Sequence, residues 1–290
     1  MSRLTTAALA IVVSLSLPAG LVFAATPGSF KAANWAGYEV QTSGNPQNDA
    51  VTLVTGSWTV PTASASLQGA GNMSICAVWV GIDGYNDKTV EQIGTNSTVA
   101  ADGYVGYSAW YEMSPANAIP IPIAQLAINA GDSISATVQF DAPSSPGQFS
   151  MTIADNTTGG YYSAPYQPDS ASIYRSSAEW IVEAPENYAS AQVPLPTFGS
   201  VTFTGAAATV ASTTGAIDDP SLQATRIDMT YPTFGDAMTT SALTDLGLGS
   251  STTSSFIVTQ APEPASLAIL AAAAALLLAR PPRSTRPLAR

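Results

Sequence analysis

The strongest constraint on the fold is a two-residue period. From Ser133 to Phe140 polar and apolar side chains alternate without a break, and Phe149 to Ile153 does the same. Val201-Thr202-Phe203-Thr204 repeats the pattern. A period of two places one apolar face of a strand against a core. Turn formers punctuate these runs at Gly44-Asn45-Pro46, Pro143 to Gly147 and Asn156 to Gly160. No stretch between residues 30 and 260 keeps a helical period over three turns. Short strands at this spacing predict one all-β domain, a sandwich or a barrel.

Both ends differ from this body. Residues 1–24 carry a basic start at Arg3, an apolar run from Ala7 to Leu17, and Val22-Phe23-Ala24 where a signal peptidase reads small residues. That is the pattern of a secretory leader, too short for a spanning helix. Residues 261–290 open on Ala261-Pro262-Glu263-Pro264, continue through thirteen apolar residues from Leu267 to Ala279, and close on Arg280, Arg283, Arg286 and Arg290. Thirteen is short of the roughly 20 that cross a bilayer unaided, and terminal arginines favour the cytoplasmic side. The order resembles the PEP-CTERM sorting tail. That resemblance implies a Gram-negative bacterium, an exosortase-type sorting machinery as partner, and transient inner-membrane anchoring before the protein is secreted or held at the surface. The expected organisation is therefore a leader (1–24), a body (25–260) and a tail (261–290).

Charge and composition narrow the chemistry. The body holds nineteen of the chain's twenty acids but only four of its nine bases, Lys31, Lys88, Arg175 and Arg226, for a net −15. Phosphate backbones need a basic surface, so nucleic acid is excluded as a partner. Such a surface suits acid, where most carboxyls are neutral. The single cysteine, Cys76, lies in the apolar run Ile75-Cys76-Ala77-Val78-Trp79-Val80 and reads as a core residue. The chain contains no histidine. Serine–histidine and cysteine–histidine nucleophiles are thereby ruled out, as are the usual zinc frameworks, and no metal or other cofactor is expected. Carboxylates and amides remain to do the chemistry. No Asp-Thr-Gly or Asp-Ser-Gly repeat supports an aspartic peptidase.

Four segments in fixed order carry more information than any one of them. They are Asn34-Trp35-Ala36-Gly37-Tyr38, Gly56-Ser57-Trp58-Thr59-Val60-Pro61, Trp79-Val80-Gly81-Ile82-Asp83-Gly84 with Glu91-Gln92-Ile93-Gly94, and Ala178-Glu179-Trp180-Ile181-Val182-Glu183. Ala109-Trp110-Tyr111-Glu112 stands between the last two. Together they resemble the glutamic peptidases, family G1 or eqolisins, from about residue 33 to about 260. The resemblance implies a concanavalin A-like sandwich of two bent antiparallel sheets with a substrate groove on one face. It implies a monomeric, secreted, acid-acting endopeptidase for polypeptide substrates, with a catalytic pair at Gln92 and Glu179. Glu179 would move the proton as base and then acid, and the Gln92 amide would stabilise the tetrahedral intermediate. Trp79, Asp83 and Glu112 match positions near the groove and are expected to bind substrate. Where the family often carries an aspartate four residues after the glutamine, this chain has Asn96.

Spacing alone leaves alternatives open. Glu179 and Glu183 share one strand face, with Trp180 and Val182 on the other, so periodicity does not choose between the two glutamates. The aromatics Tyr104, Tyr107, Trp110 and Tyr111 also fit a non-catalytic sandwich that binds matrix polysaccharide. A glycoside hydrolase would need two facing carboxyls, for which Glu112 and Glu179 are the candidates.

Overall fold

A computed structural model describes residues 28–42, 50–66, 71–86, 88–141, 148–166, 174–187, 191–230, 237–241, 244–245 and 254–261. The leader, almost all of the tail, and the turns at 44–46 and 143–147 lie outside the described residues. Every regular element among those described is a strand. In chain order they are β1 (Ser29–Ala32), β2 (Trp35–Gln41), β3 (Val51–Thr59), β4 (Ser74–Ile82), β5 (Val90–Val99) and β6 (Val105–Ser114). There follow β7 (Ile119–Pro120), β8 (Ser133–Asp141), β9 (Gln148–Asp155), β10 (Gly160–Tyr166), β11 (Ser177–Glu183) and β12 (Ser200–Val210). The last are β13 (Thr213–Ala216), β14 (Thr225–Thr230), β15 (Ala237–Thr240), β16 (Thr244–Asp245) and β17 (Ser254–Gln260).

The pairings build two layers. One runs β1-β14-β2-β11-β4-β5-β6-β7, antiparallel except at β1–β14. The other runs β17-β12-β3-β8-β9-β10, antiparallel throughout. Short β15 pairs with both β14 and β17 and so joins the layers at one edge. Strand β12 shifts register between Phe203 and Ala206, and such a bulge bends the strand that carries it. The expected all-β sandwich of bent antiparallel sheets is the architecture observed.

The alternation seen in the sequence explains the packing. Ile134, Ala136 and Val138 of β8, with Phe149, Met151 and Ile153 of β9, face inward and meet Val78, Val80, Ile93 and Trp180 of the first layer. A chain of aromatic contacts crosses the core. Trp58 approaches Phe203, Phe203 stacks on Phe256 at 4.8 Å, and Phe256 meets Tyr38 edge-on at 4.9 Å. The Trp180 indole donates to the Thr55 carbonyl at 2.7 Å, which satisfies its one polar atom inside the sandwich. Cys76 is fully buried in this core, as its apolar run requires.

The outer face of the first layer is less usual, because it too is apolar. Ala77, Trp79, Val90, Trp110, Ile181 and Ile227 form a second cluster there, with Phe30 and Trp35 packed against it. An antiparallel sheet with one face on a core commonly leaves its other face to water. Here the outer face forms the floor of a cleft.

Candidate active site

The cleft opens over β4, β5, β6 and β11 and encloses about 810 Å³, within the usual range for a ligand site. Gln92, Asn96, Trp110, Glu112, Glu183 and Glu186 are among its lining residues, and among the described residues no lysine or arginine lines it. Strand register explains which side chains meet. Gln92 on β5 stands directly opposite Glu112 on β6 and Gly81 on β4, and Gly81 stands opposite Glu179 on β11. Side chains in one such row project from the same face. Glu39 on β2 continues it beyond Glu179.

Trp79 enters that row at Gly81. A Cβ on Gly81 would lie 2.9 Å from the far edge of the Trp79 ring and 3.2 Å from the Gln92 Cβ. On Gly94 it would lie 2.6 Å from the Trp79 Cβ. These two glycines make room for the indole over β4, in the space a side chain on Gly81 would take. Glu179 is fully buried and lines no part of the cleft. Glu183, two pleat repeats further along the same face, is half-buried and does line it. Of the two glutamates that periodicity could not separate, the cleft therefore contains Glu183. Glu179, on which the sequence places the acid–base role, is absent from that lining.

Three hydrogen-bond donors hold Glu183. Asn34 donates from Nδ2 to Oε1 at 3.2 Å, Trp79 donates from Nε1 to Oε2 at 2.8 Å, and the Trp35 side chain adds a third. Trp35 also meets Trp79 edge-on at 5.1 Å, so each indole fixes the other. Burial pushes the Glu183 carboxyl up to about 7; the Trp79 and Trp35 bonds oppose the rise, and the charges of Glu112 and Glu186 add to it. Across the cleft Gln92 donates from Nε2 to Glu112 Oε2 at 3.0 Å. Burial also raises the Glu112 carboxyl, against that hydrogen bond.

The other expected site residues divide. Trp79 is fully buried and acts on Glu183 rather than on the open cleft. Asp83 is fully buried outside the cleft lining. Its carboxylate accepts from the Arg175 and Ser176 backbone N–H groups and from the Ser176 hydroxyl. It thus ties the turn after β4 to the chain entering β11. Glu112 lines the cleft. The aromatic segment forms no continuous trough: Trp110 belongs to the cleft cluster, Tyr111 packs into the sandwich core, and Tyr104 is exposed. Asn34, Trp35 and Glu186 were not assigned roles from sequence. Asn34-Trp35 opens the first of the four segments, and that placement was the available signal.

Glu39 carries a consequence for stability. It is fully buried, directly opposite Glu179, and accepts from Gln41 Nε2 at 2.7 Å. Burial raises its carboxyl from the ordinary 4.5 to about 7, against the Gln41 and Thr225 hydrogen bonds. The folded chain then keeps a proton that the unfolded chain has already lost. Stability is complete below about 4.5 and drains as pH rises towards 7. Glu39→Gln removes the ionisable group. Urea unfolding should show a gain of about 3 kcal/mol at pH 8 and almost none at pH 3; an equal change at both would contradict this assignment.

Comparison with known proteins agrees with the architecture. The sequence profile of the Peptidase A4 family matches residues 33–252. Aspergillopepsin-2 of Aspergillus niger is 34% identical over 198 residues, covering 62% of this chain and 66% of the relative. The chain thus spans just under two thirds of that relative's length. Scytalido-glutamic peptidase, solved with a transition-state analogue inhibitor, superposes with a TM-score of 0.57 at 27% identity, covering 77% of this chain and 97% of the other. Aspergilloglutamic peptidase from Aspergillus niger superposes with a TM-score of 0.52 at 31% identity, covering 65% and 99%.

Proposed function

The chain belongs to the Peptidase A4 family, and from that premise we propose that it is a glutamic endopeptidase, working in acid, whose catalytic pair is Gln92 and Glu183. The observation that carries this reading is the cleft itself. It brings together one carboxyl held by three N–H donors and one nearly buried amide, with no lysine or arginine among the described residues that line it.

The raised carboxyl sets the order of events. In acid Glu183 is neutral, so one oxygen can accept while the other donates. As water attacks the scissile carbonyl carbon, its proton passes to the free Glu183 oxygen. The Glu183 O–H proton passes to the carbonyl oxygen, and Glu183 ends the step still neutral. Gln92 donates an amide N–H to the oxygen on which charge builds. In the second step Glu183 protonates the amide nitrogen, a hydroxyl of the intermediate returns a proton to Glu183, and the C–N bond breaks. Water is consumed and an acid and an amine are released. Asn34, Trp35 and Trp79 keep the carboxyl aimed, which supplies the fixed geometry such transfers need.

Loss of the Glu183 proton ends this cycle, so kcat/KM should be high in acid and fall as pH rises through about 7. The test is digestion of an acid-unfolded protein at about pH 4 with pepstatin present. Pepstatin-resistant cleavage that fades above neutrality is expected; no cleavage at any pH would overturn the reading. The leader at 1–24 and the tail at 261–290 make export, followed by sorting through an exosortase, part of the same proposal.

A further inference from the structure

An amide has two chemically different ends, and only the nitrogen can stabilise an oxygen that gains electrons. Something must therefore decide which way the Gln92 amide is turned. Gln92 and Glu112 are direct cross-strand neighbours, and the Gln92 nitrogen donates to Glu112 Oε2 at 3.0 Å. Gln92 is only 5% exposed, and its Oε1 is buried with no hydrogen-bond partner among the described residues. Leaving a buried acceptor unmet costs roughly 1–3 kcal/mol. The other orientation would set the amide oxygen against the Glu112 carboxylate. Two acceptors would then face each other with no hydrogen between them. The observed arrangement fixes the nitrogen beside Glu112 and keeps one of its two N–H groups free.

We propose that Glu112 is a positioning residue, which holds the Gln92 amide nitrogen in place for the reacting oxygen and does not itself contact substrate. A carboxylate suits this task better than an amide would. When ionised it only accepts, so it selects one orientation, whereas a glutamine at 112 accepts through oxygen or donates through nitrogen and selects neither. The inference rests on the peptidase reading above and names the group that prepares its oxyanion donor.

A double-mutant cycle tests it. The titratable groups facing Glu183 are Glu112 on β6 and Glu186 after β11; Asn34, Trp35, Trp79 and Gln92 do not titrate in the working range. Removing Glu112 therefore also eases Glu183 downward. The comparison is best made at about pH 6, where Glu112 is more ionised than in stronger acid and the effect of its loss on Glu183 is common to both Gln92 backgrounds. With Gln92 present, Glu112→Gln should lower kcat about tenfold and leave KM within about twofold. Glu112→Leu, which removes the acceptor, should cost more. In the Gln92→Ala background, Glu112→Gln should change kcat less than about twofold, because nothing remains to be positioned. Equal losses in both backgrounds would overturn the proposal, and so would an undiminished kcat in Glu112→Gln. Either result would leave the peptidase reading intact. Absence of cleavage by the wild-type protein would instead remove that reading and this inference with it.

Discussion

Glu183→Gln should lower kcat by roughly 10⁴ while leaving the protein more stable at neutral pH. Glutamine has one oxygen, so it accepts from Trp79 or from Asn34 but not from both, and its NH2 group meets the other donor; at neutral pH the loss of that one bond is offset by removal of the titrating carboxyl. It has no proton to exchange with water, carbonyl oxygen or leaving amine. The stability gain follows from the same carboxyl. Burial holds it protonated to about 7, so the folded state loses ground to the unfolded state as pH rises from the ordinary glutamate range towards 7. Removing the ionisable group removes that loss. An inactive variant that unfolds less readily at pH 7 cannot owe its inactivity to misfolding. Denaturant unfolding at pH 4 and pH 7, alongside kinetics, separates the two explanations.

Gln92→Ala should cost about 2.7–4 kcal/mol of transition-state stabilisation, or roughly 10²–10³ in kcat. KM should change little, because the amide acts on charge that appears only as the carbonyl is attacked. The substitution also frees Glu112 from its hydrogen bond, which leaves a half-buried carboxyl without its amide partner. Part of any stability change therefore belongs to Glu112, and the kinetic effect is best read from kcat. A variant that raised KM and kept kcat would assign Gln92 to ground-state binding instead.

Much of the fold was legible because its signals are local. Strict alternation marks β8, β9 and the start of β12. The pattern of Trp180 and Val182 against Glu179 and Glu183 sorts the two faces of β11, and Cys76 sits where an apolar run places it. The site was legible only to the level of its segments. Glu179 and Glu183 have the same parity, and the difference between them arises from a residue on another strand. The Trp79 indole fills the space over Gly81, which stands opposite Glu179, and Glu179 is fully buried. That depends on the register between β4 and β11 and on two glycines admitting the ring, neither of which a single strand reveals. Asp83 shows the same limit. It follows a tryptophan strand and precedes a glycine, as a groove residue would, yet its carboxylate serves the backbone of Arg175 and Ser176. The acidity of the body suggested a fold strained at neutral pH; Glu39 and Glu183 locate a specific part of that strain in two carboxyls raised to about 7.

The central claim is that Glu183, and not Glu179, exchanges protons with the substrate. The most direct measurement compares Glu183→Gln and Glu179→Gln, side by side with the wild-type protein, in cleavage of one unfolded substrate at about pH 4. The account predicts that Glu179→Gln still cleaves, at a rate near wild type for the fraction that is folded, and that Glu183→Gln does not. Cleavage by Glu183→Gln together with its loss in a folded Glu179→Gln would contradict it.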